Sequence, residues 1–572
     1  MACWLLPTPD PQGAGGLAEA LGISAAVARV LVRRGLADAD EARRFLQPSL
    51  DQLHDPLTLR DMPRAVARLV TAIQAHEKIL IYGDYDVDGT MSVVLLTTAI
   101  RLAGGDVRSH VPHRLNEGYG MRPEVVETAA AQGVTLIVSV DTGIRAAAVV
   151  RRAAELSIDV IVTDHHLPDI ELPPAYAVVN PNRPGCAYLE KNLCGAAVAF
   201  KVAQALLTAV GWPEDRLRKV TDSFLKLVAI ATVADVVPLT GENRVMVKHG
   251  IDGLRDVRNI GLRALLEVAG FSPNKVPSAR QVAFQIAPRI NAAGRMDTAQ
   301  SVIELFLTSD AKRAGELAKQ LHEQNAERRQ VQAAIVETCG HLPMDQAACA
   351  LVYYSEDWHR GVIGIVASRM VELFHRPVFV LGRNADDGMA QGSGRSIASF
   401  HLLQALESMR DLFVKFGGHE FAAGVTLEAA RVEEFRTRFN AYAAERLRPE
   451  DFQPTLEIDA VLELSEITDS LTEEFFALAP FGHGNEPPLF AAMDVEVAAP
   501  PVVMKEKHLR IAVRRDGRTL KLKAWNSAHR IAEFQLGAQL DIAFVIEEDQ
   551  YSADRGYAPW SATLKDARPS GV

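Results

Sequence analysis
The stretch Ile79–Thr90, ILIYGDYDVDGT, sets three aspartates at alternate positions, Asp84, Asp86 and Asp88, followed by Gly89 and a run of apolar residues. Carboxylates so spaced suggest a cation site, and the first six residues of the run fit an EF-hand calcium loop, whose template then demands a bidentate glutamate at its twelfth position. Counting from Asp84, that position is Leu95. An EF-hand is also entered from a helix, whereas KILIY is short, β-branched and apolar and reads as a buried strand. The calcium-loop reading fails on both counts. What remains is a carboxylate cluster at the C-terminal end of a strand, just before a helix expected over about 90–103. Open α/β sheets bind their ligands at such strand ends. Taken alone, the cluster could equally be a solvated acidic turn.

Two further strand-like runs end in the same way. TLIVSV leads into Asp141-Thr-Gly143, and IDVIVT leads into Asp164-His165-His166. Three parallel strands delivering acids or imidazoles to one rim make a chance acidic turn improbable. Asp235, in LKLVAIATVADVVPLT, is a fourth candidate, an acid in an apolar helical stretch, where a buried carboxylate needs a partner. A helix cap or an ion pair is the alternative role for it. Carboxylates with imidazole and no thiolate suit Mn²⁺ or Mg²⁺, the imidazole favouring Mn²⁺. Several carboxylates on one rim can bridge two ions about 4 Å apart, the arrangement for in-line phosphoryl displacement. Hydrolysis of a phosphate ester is the chemistry that follows.

These residues need a scaffold, and the chain supplies one by alternation. From about 78 to 240, strand-like runs (KILIY, VRSHVP, TLIVSV, IDVIVT) alternate with helical patterns, as in a doubly wound parallel sheet. Between about 309 and 338 a charged, helix-forming stretch interrupted only by Gly315 reads as a long helix joining two lobes. A second α/β unit follows over about 345–445, and from about 452 short strand-like runs such as LRIAVRR and LKLKAW fit a small β-barrel. The expected domains are 1–306, an N-terminal segment with the catalytic sheet; 307–342, the connecting helix; 343–450, the second α/β domain; and 451–572, the barrel.

The 572 residues exceed one core and suggest about three or four domains. Five scattered cysteines without a CxxC pair argue against a zinc ribbon and a disulfide framework. No window approaches the roughly 18 consecutive apolar residues of a membrane span, and the N-terminus lacks a signal-peptide pattern. A cytoplasmic protein without a membrane partner is expected. The net charge of −11 counts, as a whole-chain figure, against a nucleic-acid partner, yet Lys505–Arg530 holds nine Lys/Arg against two acids, a local +7. Segregated charge suits a protein in which one lobe carries acidic metal ligands and another meets a polyanion.

DYDVDG, VDTG, TDHH and ATVADVVPL, in that order after their strands, resemble the four metal-binding motifs of the DHH phosphoesterase superfamily. VPHRLNEGYG, APRINAAGRMD, WHRGVIGIVASR, GSGRS, GGHEFAAG and PFGHGNEPPLF extend the resemblance, over roughly residues 50–530, to its RecJ branch of single-stranded-DNA-specific 5′→3′ exonucleases. The resemblance implies a DHH domain, a connecting helix, a DHH-associated domain and a barrel of OB type. It further implies Asp86, Asp88, Asp141, His165 and Asp235 as metal ligands, with Asp84 a ligand or an orienting acid. His166 would face the scissile phosphate, with Asp141 beside it in catalysis. Arg114, Tyr119 and Arg295 are expected to contact DNA in the first lobe, and Ser393, Arg395 and His419 to hold a phosphate in the second. In the barrel, Lys521 and Lys523 would track the backbone and Trp525 stack on a base, or else form a solvated face around a core tryptophan. Single-stranded DNA, a helicase and a single-stranded-DNA-binding protein are the implied partners of a monomer acting in DNA repair and recombination. A DHH phosphodiesterase acting on short oligonucleotides or cyclic dinucleotides is the competing reading, and a non-catalytic scaffold a second one. The barrel and the full ligand set weigh against them.

Overall fold
The computed structural model describes residues 2–7, 11–114, 117–118, 120–273, 275–341, 347–383, 388–553, 555–556 and 558–571. The chain divides into two compact units, residues 50–452 and residues 1–49 with 453–572.

In the first unit, five parallel strands, β1 (Lys78–Tyr82), β2 (Asp106–His110), β3 (Val134–Val140), β4 (Asp159–Thr163) and β5 (Ala177–Val179), form a sheet of order β2-β1-β3-β4-β5. Their side chains alternate between two cores. Ile79, Ile81, Leu136 and Val138 enter one, and Leu80, Tyr82 and Ile137 the other, as a sheet covered on both faces requires. The strand order reverses between β1 and β3, which opens a crevice at their carboxyl ends. Asp84–Asp88 leave β1 there, and Asp141 leaves β3.

Three helices stand beneath that crevice: α1 (Met62–Gln74), α2 (Val87–Leu102) and α3 (Gly195–Ala209). Most of α2 is buried, and the hydroxyls of Thr90, Ser92 and Thr98 within it donate to carbonyls one turn back. α2 begins three residues before the expected helix because Asp86 caps it, accepting from the Gly89 amide at 2.9 Å. Helix α4 (Glu214–Ala234) ends at Asp235, and α5 (Ala287–Met296) follows a π-helical turn over Val282–Ile286.

The connecting helix, α6, spans Ala311–His341. At 1.5 Å per residue it is about 46 Å long. Its first turns bury Ala314, Leu317, Ala318 and Leu321 in the catalytic lobe's core, and its last bury Ile335 and Cys339 against Val362 and Met370 of the second lobe. That lobe holds a mixed sheet of β6 (Leu351–Ser355), β7 (Val378–Arg383), β8 (Met389–Arg395), β9 (Lys415–Gly418) and β10 (Ala422–Glu428) in the order β9-β10-β8-β7-β6, with α7 (Ile363–Phe374) between β6 and β7. Only the β6–β7 pair is parallel.

In the second unit, β11 (Phe490–Met504), β12 (His508–Arg515), β13 (Arg518–Ala524), β14 (Gln539–Glu548) and β15 (Trp560–Pro569) run β11-β12-β13-β15-β14, and a β11–β14 pairing closes the barrel. The expected assignment of the N-terminal segment to the catalytic domain is corrected here. Cys3–Leu5 pairs in parallel with Thr455–Glu457, and Leu17, Val27, Val30 and Leu31 enter the barrel's core beside Phe475 and Phe490. The cause is apolar burial and strand pairing with residues some 450 positions away, reinforced by the Ser24 amide on Glu474 at 2.7 Å.

Candidate metal centre and the cleft beside it
Backbone geometry places each ligand at the rim. Asp141 adopts φ +57°, a left-handed conformation that Asp tolerates, so the chain turns sharply at the end of β3. Gly195 opens α3 against that turn, where a Cβ would stand 2.7 Å from Asp141 Oδ1. The amides of Gly195 and Ala196 donate to the two oxygens of Asp88 at 2.6 and 2.7 Å, so a helix N-terminus holds this carboxylate. Val236, next to Asp235, has φ +61°, a strained conformation for a β-branched residue, and it turns the chain away as α4 ends.

The side chains converge. His165 Nε2 lies 3.2 Å from Asp141 Oδ1 and 3.7 Å from both Asp88 Oδ2 and Asp235 Oδ2. Three sets of ligand atoms, Asp84/Asp86/Asp141, Asp88/His165/Asp235 and Asp141/His165/His166, each fit within 4.8 Å. Asp141 belongs to two of them.

Whether a cation fits can be judged from the polar atoms left over. Asp84 Oδ1, Asp141 Oδ1, His165 Nε2 and Asp235 Oδ2 are all buried without a hydrogen-bond partner among the described residues. Orphaned acceptors in a native core call for an ion or a water. Burial, followed by repulsion from neighbouring carboxylates, pushes the Asp84, Asp86 and Asp141 carboxyls up, and Asp235 up to about 9. Burial lowers the His165 imidazole, which keeps it neutral with a lone pair to give. Cys194 beside the site is held up as a thiol by burial, so the donors are oxygen and nitrogen alone. Such a set fits Mn²⁺ or Mg²⁺.

Asp164 has a role that its position in TDHH only hinted at. Its buried carboxylate accepts from the amides of Ile144, His165 and His166 and contacts His166 Nδ1 at 2.8 Å. Burial alone would lower the His166 imidazole, but the bond to Asp164 and the surrounding carboxylates outweigh it and raise it.

Beside the rim, the two lobes of this unit enclose a cleft of about 740 Å³. Arg114 and Arg295 line it from the catalytic lobe, Ser393 and Arg395 from β8. Arg295 donates to Gly361 O at 3.1 Å, and Arg395 to Ser393 Oγ at 3.1 Å and Gly394 O at 2.8 Å. Burial and the Arg114 charge lower the Arg395 guanidinium, and with Arg328 they bring Arg295 down to about 9. Tyr85, between the rim aspartates, lies under the Arg114 guanidinium at 5.0 Å, and Arg360, Gln391 and Lys415 also line the cleft. None of these four was singled out from sequence, although Tyr85 lies inside the aspartate motif and Arg360 inside WHRGVIGIVASR. His419 sits on an exposed turn after β9 and is not among the lining residues. Tyr119 lies outside the described residues.

In the barrel unit, β13 alternates as expected. Lys521 is exposed, and Trp525 just past the strand is 51% exposed, edge-on to His508. Lys523 is instead engaged within the barrel, its ammonium 2.6 Å from Asp549 and 3.1 Å from Ser561.

A doubly wound sheet with this rim, followed by a mixed-sheet lobe, defines a DHH phosphoesterase fold. Residues 78–232 match the DHH family N-terminal domain, 347–445 the DHHA1 domain and 458–557 the RecJ OB domain. The chain belongs to the RecJ family. It is 36% identical to the single-stranded-DNA-specific exonuclease RecJ of Bacillus subtilis over 94% of this chain and 68% of that one, and 39% identical to that of Dickeya dadantii over 82% and 83%. The crystal structure of RecJ from Thermus thermophilus in complex with Mn²⁺ matches with a TM-score of 0.84 at 31% identity, covering 100% of this chain and 80% of that one.

Proposed function
We propose that this chain is a metal-dependent exonuclease that hydrolyses single-stranded DNA from its 5′ end to 5′-mononucleotides. The observation that carries the reading is the convergence of four buried ligand atoms that have no hydrogen-bond partner among the described residues, beside a cleft lined by arginines that form no ion pair among those residues. Asp84, Asp86, Asp88, Asp141, His165 and Asp235 would hold two Mn²⁺ or Mg²⁺ ions, Asp141 being common to two of the ligand sets. Bound, such ions activate a water and neutralise the charge that develops on the phosphoryl oxygens.

The chain's own residues do the rest. Asp164 takes Nδ1 of His166, which presents Nε2 toward the scissile phosphate as a hydrogen-bond donor or acid. Ser393 and Arg395 seat the terminal phosphate, and Arg114 and Arg295 neutralise the strand as it enters. Seating the end in one lobe while the rim cuts in the other measures one nucleotide from the 5′ terminus. A cleft of about 740 Å³ has room for a nucleotide or two of a single strand and not for a duplex. Lys521 and Trp525 on the barrel would contact single-stranded DNA as well. His419 and Tyr119 keep their expected phosphate and DNA contacts as parts of this reading.

No single helix among the described residues is long and apolar enough to cross a membrane. A cytoplasmic monomer that receives strands from a helicase and a single-stranded-DNA-binding protein, in repair and recombination, completes the proposal. The test compares a long 5′-phosphorylated single strand, its duplex and a dinucleotide, with Mn²⁺ and with EDTA, for the wild type and Asp141→Ala. Fast digestion of the long strand alone, lost in EDTA and in the variant, is expected. Faster hydrolysis of the dinucleotide would favour the short-substrate reading instead.

A further inference from the structure
The cleft carries more positive charge than a monophosphorylated strand end can neutralise. Five cations line it, Arg114, Arg295, Arg360, Arg395 and Lys415, and among the described residues no carboxylate does. None of the five forms an ion pair among the described residues. A terminal phosphomonoester brings a charge of about −2 and the scissile diester about −1. Arg114, Arg295 and Arg395 answer that sum. Arg360 and Lys415 are left without an anion.

These two lie together at one end of the sheet. Along β8, Gln391, Ser393 and Arg395 share a face, two residues apart and so about 6.8 Å from one to the next. Opposite Ser393 the neighbouring strands present Gly424 and Gly417, which leave the floor clear. One step along, Gln391 pairs with Thr426 and Thr426 with Lys415, which makes a polar row across three strands. Arg360 joins that row through its 2.7 Å bond to Gln391 Oε1. Lys415 is exposed, and its ammonium makes no hydrogen bond or ion pair among the described residues.

We propose that the cleft also accepts strands whose 5′ end is a triphosphate, the end left by synthesis initiated without a primer, with Arg360 and Lys415 holding the outer phosphoryl groups. The inference rests on the reading of Ser393 and Arg395 as the seat of the terminal phosphate. Two further phosphoryl groups add roughly two negative charges, which matches the two cations left over. They also extend from that seat by about the distance between the Ser393 and Gln391 rows.

The test measures binding of the full chain in EDTA, by anisotropy, to one 3′-fluorescein-labelled oligothymidylate bearing a 5′-hydroxyl, a 5′-monophosphate or a 5′-triphosphate. Wild type should bind the triphosphate about fivefold more tightly than the monophosphate, the scale of an exposed ion pair or two. Lys415→Ala and Arg360→Gln should each reduce that ratio toward one, and Arg395→Ala should instead erase the preference for monophosphate over hydroxyl. Triphosphate binding no tighter than monophosphate, or a preference that survives both Lys415→Ala and Arg360→Gln, would overturn the inference. A monophosphate preference untouched by Arg395→Ala would remove the seat itself, and with it the reading on which the inference rests.

Discussion
Asp164 Oδ1 and His166 Nδ1 lie 2.8 Å apart, and the same carboxylate oxygen also accepts the His165 and His166 amides. One buried acid thereby fixes both the backbone turn that delivers His165 to the carboxylates and the tautomer of the imidazole beside it.

Asp164→Ala should therefore lower the single-turnover rate by about 10- to 100-fold, the usual cost of losing an acid that orients a catalytic or ligating histidine. Asp164→Asn, which can still accept from the amides, should recover part of it. Single-turnover digestion of a 5′-phosphorylated strand measures both. A rate within twofold of wild type for Asp164→Ala would remove Asp164 from the mechanism.

The raised carboxyls predict how metal and pH couple. Without metal, Asp84, Asp86 and Asp141 hold their protons to higher pH in the folded protein than in the unfolded chain, and Asp235 does so up to about 9, whereas the unfolded chain releases them near the ordinary carboxylate range. The native state then binds more protons than the unfolded state, so the contribution of these groups to stability falls as pH rises above about 4, and for Asp235 it goes on falling to about 9. Mn²⁺ needs them ionised, so its stabilisation should grow over the same interval. Thermal denaturation in EDTA and in Mn²⁺ between pH 6 and pH 8.5 should show a widening gap in Tm. A gap that narrows with pH would contradict the assignment.

Lys521 and Lys523 should separate. Lys521→Ala removes an exposed cation and should reduce the log–log salt slope of binding to a long strand by about 0.7. Lys523→Ala breaks the contacts with Asp549 and Ser561, so it should lower the barrel's thermal stability and leave that slope nearly unchanged. Equal effects of the two substitutions on the slope would show that Lys523 leaves Asp549 to meet the strand.

That contrast also marks what local sequence can reveal. Strand–acid junctions announce themselves because apolar runs end abruptly in Asp84, Asp141 and Asp164, and the two-residue period of β13 assigns Lys521 and Lys523 to one face. The period contains nothing about Asp549, which is 26 positions away from Lys523. The same limit hid the place of the first 49 residues, whose partners in strand and core follow residue 453. The joint placement of Arg360 and Lys415 was not legible either. Arg360 lies in WHRGVIGIVASR and Lys415 just ahead of GGHEFAAG, and only the β8–β10–β9 register and the Gln391 bond bring them to one cleft.

The central claim is a division of labour in which the rim cuts and the second lobe positions a 5′ end. Single-turnover digestion of a 5′-phosphorylated strand labelled at its 3′ end tests it most directly, run for wild type and Arg395→Ala beside calorimetric Mn²⁺ titration of both. The labelled strand should shorten one nucleotide at a time in the wild type and far more slowly in Arg395→Ala, with Mn²⁺ binding unchanged. Immediate release of labelled mononucleotide, which marks attack from the 3′ end, or wild-type cleavage by Arg395→Ala with weakened Mn²⁺ binding, would contradict the account.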